Sequence, residues 1–183
     1  RSAGRPSGRT RRSAEPARDR VWRAAWVLPV ASGPVRDGAV AVRDGRIVRV
    51  GPAAEVIAAA PGAEVTDLGH DVLMPGLVDA HCHLEWSLLE GLLHPADFAA
   101  WLGRLLPMRV RMTPADHVAG ARLGAMRSLR AGTTTLSDSG PTGAGAGALA
   151  ASGQRGVVHL EAFGRDEGRA ATEAAAALSA RLA

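Results

Sequence analysis

A mixed α/β fold, with a small β layer leading into alternating strands and helices, is what the sequence predicts, and three observations carry it. Asp44-Gly45 sits between two alternating apolar runs, Thr113-Pro114-Ala115-Asp116 has the form of a capped helix start, and from Val72 onward short apolar runs alternate with helix-length segments. Strands alternating with helices imply right-handed crossovers and a parallel sheet, open or closed into a barrel, with functional groups at the carboxyl ends of its strands. At 183 residues and 46% hydrophobic content, the chain can bury a real core.

The elements follow in order. Asp-Gly between Ala39-Val40-Ala41-Val42 and Arg46-Ile47-Val48-Arg49-Val50 is a hairpin signal, because a type I′ turn needs positive φ at both centres. Trp26-Val27-Leu28 and Glu64-Val65-Thr66-Asp67-Leu68 read as further strands, giving a β layer over residues 21–72. Val72-Leu73-Met74 and Gly76-Leu77-Val78 then form a nearly continuous apolar run around Pro75, as expected of a strand covered on both faces. A helix from Thr113 to about Arg130 is expected to bury Val118, Ala121, Ala125 and Leu129, with Gly132 ending it. Thr133–Leu136 reads as a strand, Ala146–Ser152 as a short helix, Gly156–Ala162 as a strand and Glu167–Ala183 as an Ala-rich helix.

Charge and composition exclude several classes. The formal charge of +4 looks basic, yet residues 1–20 alone carry +5 and the remainder −1, so the body offers no nucleic-acid surface. This Arg-, Ser-, Gly- and Pro-rich tail has no large apolar residue and is expected to be disordered; it lacks the amphipathic face of an organelle transit peptide. The chain opens on Arg1, so neither end need be a native terminus. No stretch has the apolar length of a membrane span or a secretory core, which points to a soluble, cytoplasmic protein. One cysteine, Cys82, leaves no internal disulfide and no Cys-rich zinc site, and without lysine the chain has none to bridge two metals.

His81 and His83 close the apolar run two residues apart, and a strand's period of two turns both imidazoles to one side. Two neutral imidazoles aimed at one point suit zinc or iron, although a bare His-x-His is more often a solvated or core pair. The surrounding residues change that balance. Leu73-Met74-Pro75-Gly76-Leu77-Val78-Asp79-Ala80-His81-Cys82-His83-Leu84 resembles the first-strand signature of the amidohydrolase superfamily. The hairpin Ala39 to Gly51 resembles that superfamily's N-terminal β-sandwich, and Gly132-Thr133-Thr134-Thr135-Leu136-Ser137-Asp138 is similar to its second barrel strand, so the resemblance spans roughly Val21 to Gly164.

The resemblance implies a partial (β/α)8 TIM-like barrel of about three β/α units over residues 73–183, preceded by a small N-terminal β-sandwich part over 21–72 and a disordered basic tail over 1–20. It implies one divalent metal, zinc first and iron second, with His81 and His83 as ligands. The remaining ligands and the proton-shuttling carboxylate are expected downstream of Ala183, since a full barrel takes about 250 residues. Leu84-Glu85-Trp86-Ser87 resembles deaminases of adenine-containing nucleosides, including the aminodeoxyfutalosine type. The implied reaction is hydrolysis of a carbon–nitrogen bond other than a peptide bond: metal-activated water attacks a carbon bearing an amino group, and a carboxylate passes a proton to departing ammonia. Small-molecule substrates are the implied partners, with no nucleic acid or membrane, and with homo-oligomerisation of the full-length protein left open. The 183-residue chain alone is expected to be inactive.

Glu85, Trp86 and Glu161 are the candidates for substrate contact; a loop acid and a packing Trp serve equally well for the first two. Asp138 reads as a cap for the following helix, His159 as a buried, hydrogen-bonded residue, and His70, His94 and His117 as surface residues. Cys82 should face away from the metal side. His83-Leu84-Glu85 also fits the His-x-Glu of the cytidine-deaminase zinc fold, which fails for want of a Pro-Cys-x-x-Cys. The main rival is a dinucleotide-binding, Rossmann-like oxidoreductase domain, from Gly143-x-Gly145-x-x-Ala148 with Glu161 at an acid's spacing. Against it, Ser137–Thr142 separates the strand from the glycines. A non-catalytic gene fragment is the third reading.

Overall fold

The computed structural model describes residues 19–94 and 97–161, which fall into two compact units divided between Pro75 and Gly76. Of the disordered tail expected over 1–20, residues 1–18 lie outside the described residues, but Arg20 opens the first strand and Asp19 accepts from Arg43 Nε and Nη2 at 2.9 and 2.6 Å, so strand pairing and an ion pair order these two. The helix expected over 167–183 lies outside the described residues.

The first unit is a five-stranded sheet. Strand β1 (Arg20–Val27) pairs antiparallel with β2 (Val35–Arg43), which pairs antiparallel with β3 (Arg46–Pro52) across the Asp44-Gly45 turn. Both turn residues have positive φ, 50° and 72°, which is the backbone that makes Asp-Gly the preferred pair there. On the other side of β1, the short strands β4 (Glu64–Asp67) and β5 (Val72–Leu73) pair with it in parallel, one with each half. Helix α1 (Ala53–Ala58) covers one face, burying Val21, Ala39, Ala41, Ala53 and Val56 together. The opposite face carries Trp22, Val40, Val42, Ile47, Leu73 and Met74 around an apolar hollow of about 260 Å³.

The expected continuous strand through Pro75 is broken there. Val72-Leu73 belongs to the first sheet, and strand β6 (Leu77–Cys82) opens the second unit. Proline has no N–H for a ladder, and Gly76 stands so close to Thr134 that a side chain there would collide with it. Nor is β6 covered on both faces: Val78 is 69% exposed.

In the second unit β6, β7 (Thr133–Gly140) and β8 (Arg155–Leu160) form a parallel sheet in sequence order. Between β6 and β7 lie a 3-10 helix (Leu84–Leu89), α2 (Phe98–Val110) and α3 (Pro114–Arg130); α4 (Ala144–Ser152) joins β7 to β8. The start of α3 is the capping box that the sequence predicts: Asp116 N–H donates to Thr113 Oγ1 at 3.2 Å, and Thr113 N–H donates to Asp116 Oδ2 at 2.8 Å. Its buried face differs from expectation. Val118 and Leu129 are each 42% exposed, while His117, Gly120, Ala121, Gly124 and Ala125 are buried. The helix is turned so that its smallest residues meet the 3-10 helix, letting the two backbones approach more closely than branched side chains permit. A cluster of Leu84, Ala121, Ala125, Leu136, Ala148 and Leu149 forms the core between helices and sheet. Helix α2 was not foreseen, because Gly103 and Pro107 interrupt its pattern; Asp97 caps it through Ala100 N–H at 2.8 Å.

Candidate metal centre

The register of the parallel sheet sorts its side chains by face. Cys82, Asp138 and Val158 stand in one row and turn toward the helices, where Cys82 and Val158 pack on the core and Asp138 is fully buried. His81 and His83 therefore turn to the opposite face, which no described helix of this unit covers, beside Ser139 and His159. Their rings meet edge to face with centroids 4.9 Å apart.

His83 is held more firmly than His81. Its Nδ1 contacts the carbonyl oxygen of Ser139, which only accepts, so Nδ1 is the donor and in the neutral ring the lone pair is on Nε2. This is the tautomer a metal ligand needs, with the second ring nitrogen anchored to a carbonyl. The ring also stacks on Trp86, with centroids 4.1 Å apart and planes within 10°, and the Arg109 guanidinium lies 5.7 Å from the Trp86 ring centre. Glu161 Oε2 stands 4.0 Å from His83 Nδ1. His81 is exposed, its backbone N–H donating to Asp79 Oδ1 at 3.2 Å. The pair thus fits a divalent cation through His83 Nε2 and the neighbouring His81 ring. Among the described residues no group of three or more His, Cys, Asp or Glu side chains is arranged to hold a metal, so His81 and His83 are a partial ligand set.

Four expected roles change. Glu85 is not on a loop surface: it is 0% exposed, its Oε1 accepting from Thr142 and Ala144 N–H at 3.2 Å each, with Oε2 2.9 Å from His117 Nδ1. The last contact is close enough for an ion pair, though bent away from a hydrogen-bond direction. His117, expected at the surface, is consequently 8% exposed; His70 and His94 are exposed as expected. Asp138 does not cap α4, whose N-cap is Gly143. Its Oδ1 accepts from Leu84 N–H at 2.8 Å and so caps the 3-10 helix, while burial pushes its carboxyl above the usual carboxylate range. His159 is exposed rather than buried, with Nε2 3.1 Å from Ser137 Oγ. Burial, with Asp138 and Asp79 adding to it, pushes the Cys82 thiol up to about 12, leaving it protonated and inert at neutral pH.

The dinucleotide reading fails on the same geometry. Strand β7 runs on to Gly140, so the gap to the glycines is shorter than the sequence suggests, but the anion site is already filled. The Thr142 and Ala144 N–H groups that would cradle a phosphate donate to Glu85, and Asp138 Oδ2 presses against Gly145.

Comparison with known proteins agrees. Residues 72–178 match the model of the Amidohydrolase family, and residues 38–63 match an imidazolonepropionase-like composite domain of bacteria. The chain belongs to the amidohydrolase family. Among curated proteins it is 42% identical over 105 residues to a 5-methylthioadenosine/S-adenosylhomocysteine deaminase of Nitratidesulfovibrio vulgaris, a match covering 57% of this chain and 24% of that protein. It therefore spans about a quarter of that relative's length. Among solved structures it is similar to a zinc-bound adenosine deaminase from Xanthomonas campestris, at 26% identity and TM-score 0.63, covering 76% of this chain and 33% of that one. Its fold also resembles the Helicobacter pylori aminofutalosine deaminase, at TM-score 0.71 and 19% identity, over 87% of this chain and 40% of that one.

Sequence reasoning found the His pair but missed His117, Arg109 and the Ser139 carbonyl. His117, Gly120, Ala121 and Gly124 share one face of α3, and that row of small residues beside a histidine was the available signal for a close-packed polar contact.

Proposed function

We propose that this chain supplies the first metal-binding strand of a hydrolase that deaminates an adenine-type nucleoside or a related amino-heterocycle. The observation that carries it is His83, with its Nδ1–H committed to the Ser139 carbonyl, which leaves Nε2 as the nitrogen for a cation, and its ring beside that of His81. The deaminase names of its relatives and the zinc in the Xanthomonas campestris structure support the substrate class and the choice of zinc over iron.

The three parallel strands then form the first part of a (β/α)8 barrel over residues 73–183, whose interior is the face bearing His81, His83, Ser137 and His159. Residues 21–72 form part of a β-sandwich, with the apolar face of β1–β3 as its inner face. A bound divalent cation acidifies water to a pKa of about 7, so that hydrolysis runs at neutral pH. His83 and His81 bind the cation, and the Ser139 carbonyl fixes the His83 tautomer. Trp86 holds the His83 ring plane, and Glu161 stands at the strand end where a substrate enters. Glu85 has no exposed atom to offer a substrate. The substrate is a small molecule met in the cytoplasm.

The test is ammonia release from 5′-methylthioadenosine and adenosine by the protein expressed from its whole open reading frame, in parallel with residues 1–183. Activity in the former that falls to background in both His81→Ala and His83→Ala, with none from residues 1–183, is expected. Undiminished turnover in either variant overturns the metal role, and turnover by residues 1–183 overturns the division of the machinery.

A further inference from the structure

A fully buried carboxylate is costly unless every lone pair is engaged, and an apolar side chain of similar volume is commonly as stable or more so. Glu85 is such a carboxylate, 0% exposed, two residues beyond His83. Its oxygens reach across three separate pieces of chain: Thr142 N–H after β7, Ala144 N–H in the first turn of α4, and His117 on α3. The start of α4 adds the positive end of a helix to the two N–H donors.

The backbone of its neighbours is cut away to admit it. A Cβ on Gly120 would stand 2.9 Å from the Glu85 carbonyl carbon and nearer still to its oxygen; one on Gly124 would stand 3.1 Å from the Leu84 oxygen; one on Gly140 would collide with Glu85 Oε1 and lie 3.0 Å from its Cδ. Asp138, also 0% exposed, takes the Leu84 N–H at 2.8 Å. Leu84 and Glu85 are thus fixed by two buried acids, immediately between His83 and the Trp86 on which His83 stacks.

We propose that Glu85 is a positioning residue: by tying the chain after β6 to α3 and to the start of α4, it sets the orientation of the His83 ring toward the metal without touching metal or substrate. The inference rests on the metal role proposed for His81 and His83. His117 and the N–H groups of Thr142 and Ala144 are its partners in this, and Asp138 holds the adjoining residue. Partners one step removed from metal ligands characteristically change metal affinity about 10- to 100-fold when removed.

The test uses protein expressed from the whole open reading frame and compares wild type with Glu85→Ala and Glu85→Gln, titrating Co²⁺ by its visible absorption and following the His83 ring protons by NMR, where the Trp86 stack shifts them upfield. Glu85→Ala is expected to weaken Co²⁺ binding about 10-fold or more and to lose the upfield shift. Glu85→Gln keeps an oxygen for Thr142 and Ala144 and is expected to restore both to near wild type. If Glu85→Ala does not fold, His117→Ala removes one tie and is expected to give a smaller change in the same two readings. Folded Glu85→Ala, or folded His117→Ala in its place, with wild-type Co²⁺ affinity and an unmoved His83 resonance overturns the positioning role, as does Glu85→Gln failing as badly as Glu85→Ala. Whole wild-type protein that binds no Co²⁺ overturns the metal reading and this inference with it, whereas normal wild-type binding with unaffected variants overturns this inference alone.

Discussion

Two glycine-to-alanine changes in neighbouring helices should move stability in opposite directions. Gly120 lies inside α3, and an added methyl there meets the Glu85 backbone, with the carbonyl carbon at 2.9 Å and its oxygen closer, against the 3.4 Å or more of ordinary contact. The obstruction is backbone pinned by Glu85 and Asp138 and cannot swing aside. Overpacking of this kind costs about 1–3 kcal/mol, and the helix-propensity gain of replacing glycine by alanine returns at most about 1 kcal/mol. With the full gain subtracted, a net loss of up to about 2 kcal/mol is expected for Gly120→Ala, toward the upper end because the obstruction is backbone. Gly147 lies inside α4 with nothing within 4 Å of its would-be Cβ, so Gly147→Ala keeps the propensity gain, about 0.5–1 kcal/mol. Urea unfolding followed by tryptophan fluorescence separates the two through their midpoints, with wild type between them. In melting temperature the variants should stand several degrees apart, at about 2–4 °C per kcal/mol for a chain of this size. Gly120→Ala at or above wild-type stability would refute the close approach of α3 to the 3-10 helix.

Two further outcomes are expected. Cys82, held protonated up to about 12, should react with iodoacetamide far more slowly at pH 8 than it does in the urea-unfolded chain, where the thiol titrates normally. Because its folded pKa is raised, the stability it contributes is present below the unfolded value and declines as pH climbs past about 9 toward 12; alkylation at equal rates in both states contradicts its burial. The 183-residue chain should self-associate in sedimentation velocity, because among the described residues β6 and β8 each have one unpaired edge and Val78 and Val157 are 69% and 58% exposed on them. A single sharp monomer peak with cooperative melting opposes that expectation.

Features set by neighbouring residues were legible in the sequence. Asp44-Gly45 specifies its turn through φ alone, and the Thr113/Asp116 cap closes within one helical turn, so both could be read without knowing the fold. The His81/His83 pair was legible for a similar reason, since strand period places both rings on one face whatever surrounds them. What depends on distant chain was not. Glu85 meets His117 and Ala144 only because three elements converge, and no local pattern distinguishes a buried acid from a solvated one. The α3 face was misjudged because its largest apolar residues, Val118 and Leu129, suggested a core stripe, whereas backbone proximity at Gly120 and Gly124 decided the packing. Pro75 was read as an interruption within one strand, although its missing N–H is better suited to ending one sheet before another begins.

The central claim is that His81 and His83 together bind a catalytic metal, and metal content tests it most directly. Protein expressed from the whole open reading frame, purified without added metal and analysed by plasma mass spectrometry with zinc-edge X-ray absorption, should hold about one zinc per chain with imidazole in its coordination shell. His81→Ala and His83→Ala should each lose most of that zinc. Stoichiometric zinc retained in both variants, with an unchanged absorption spectrum, contradicts the account.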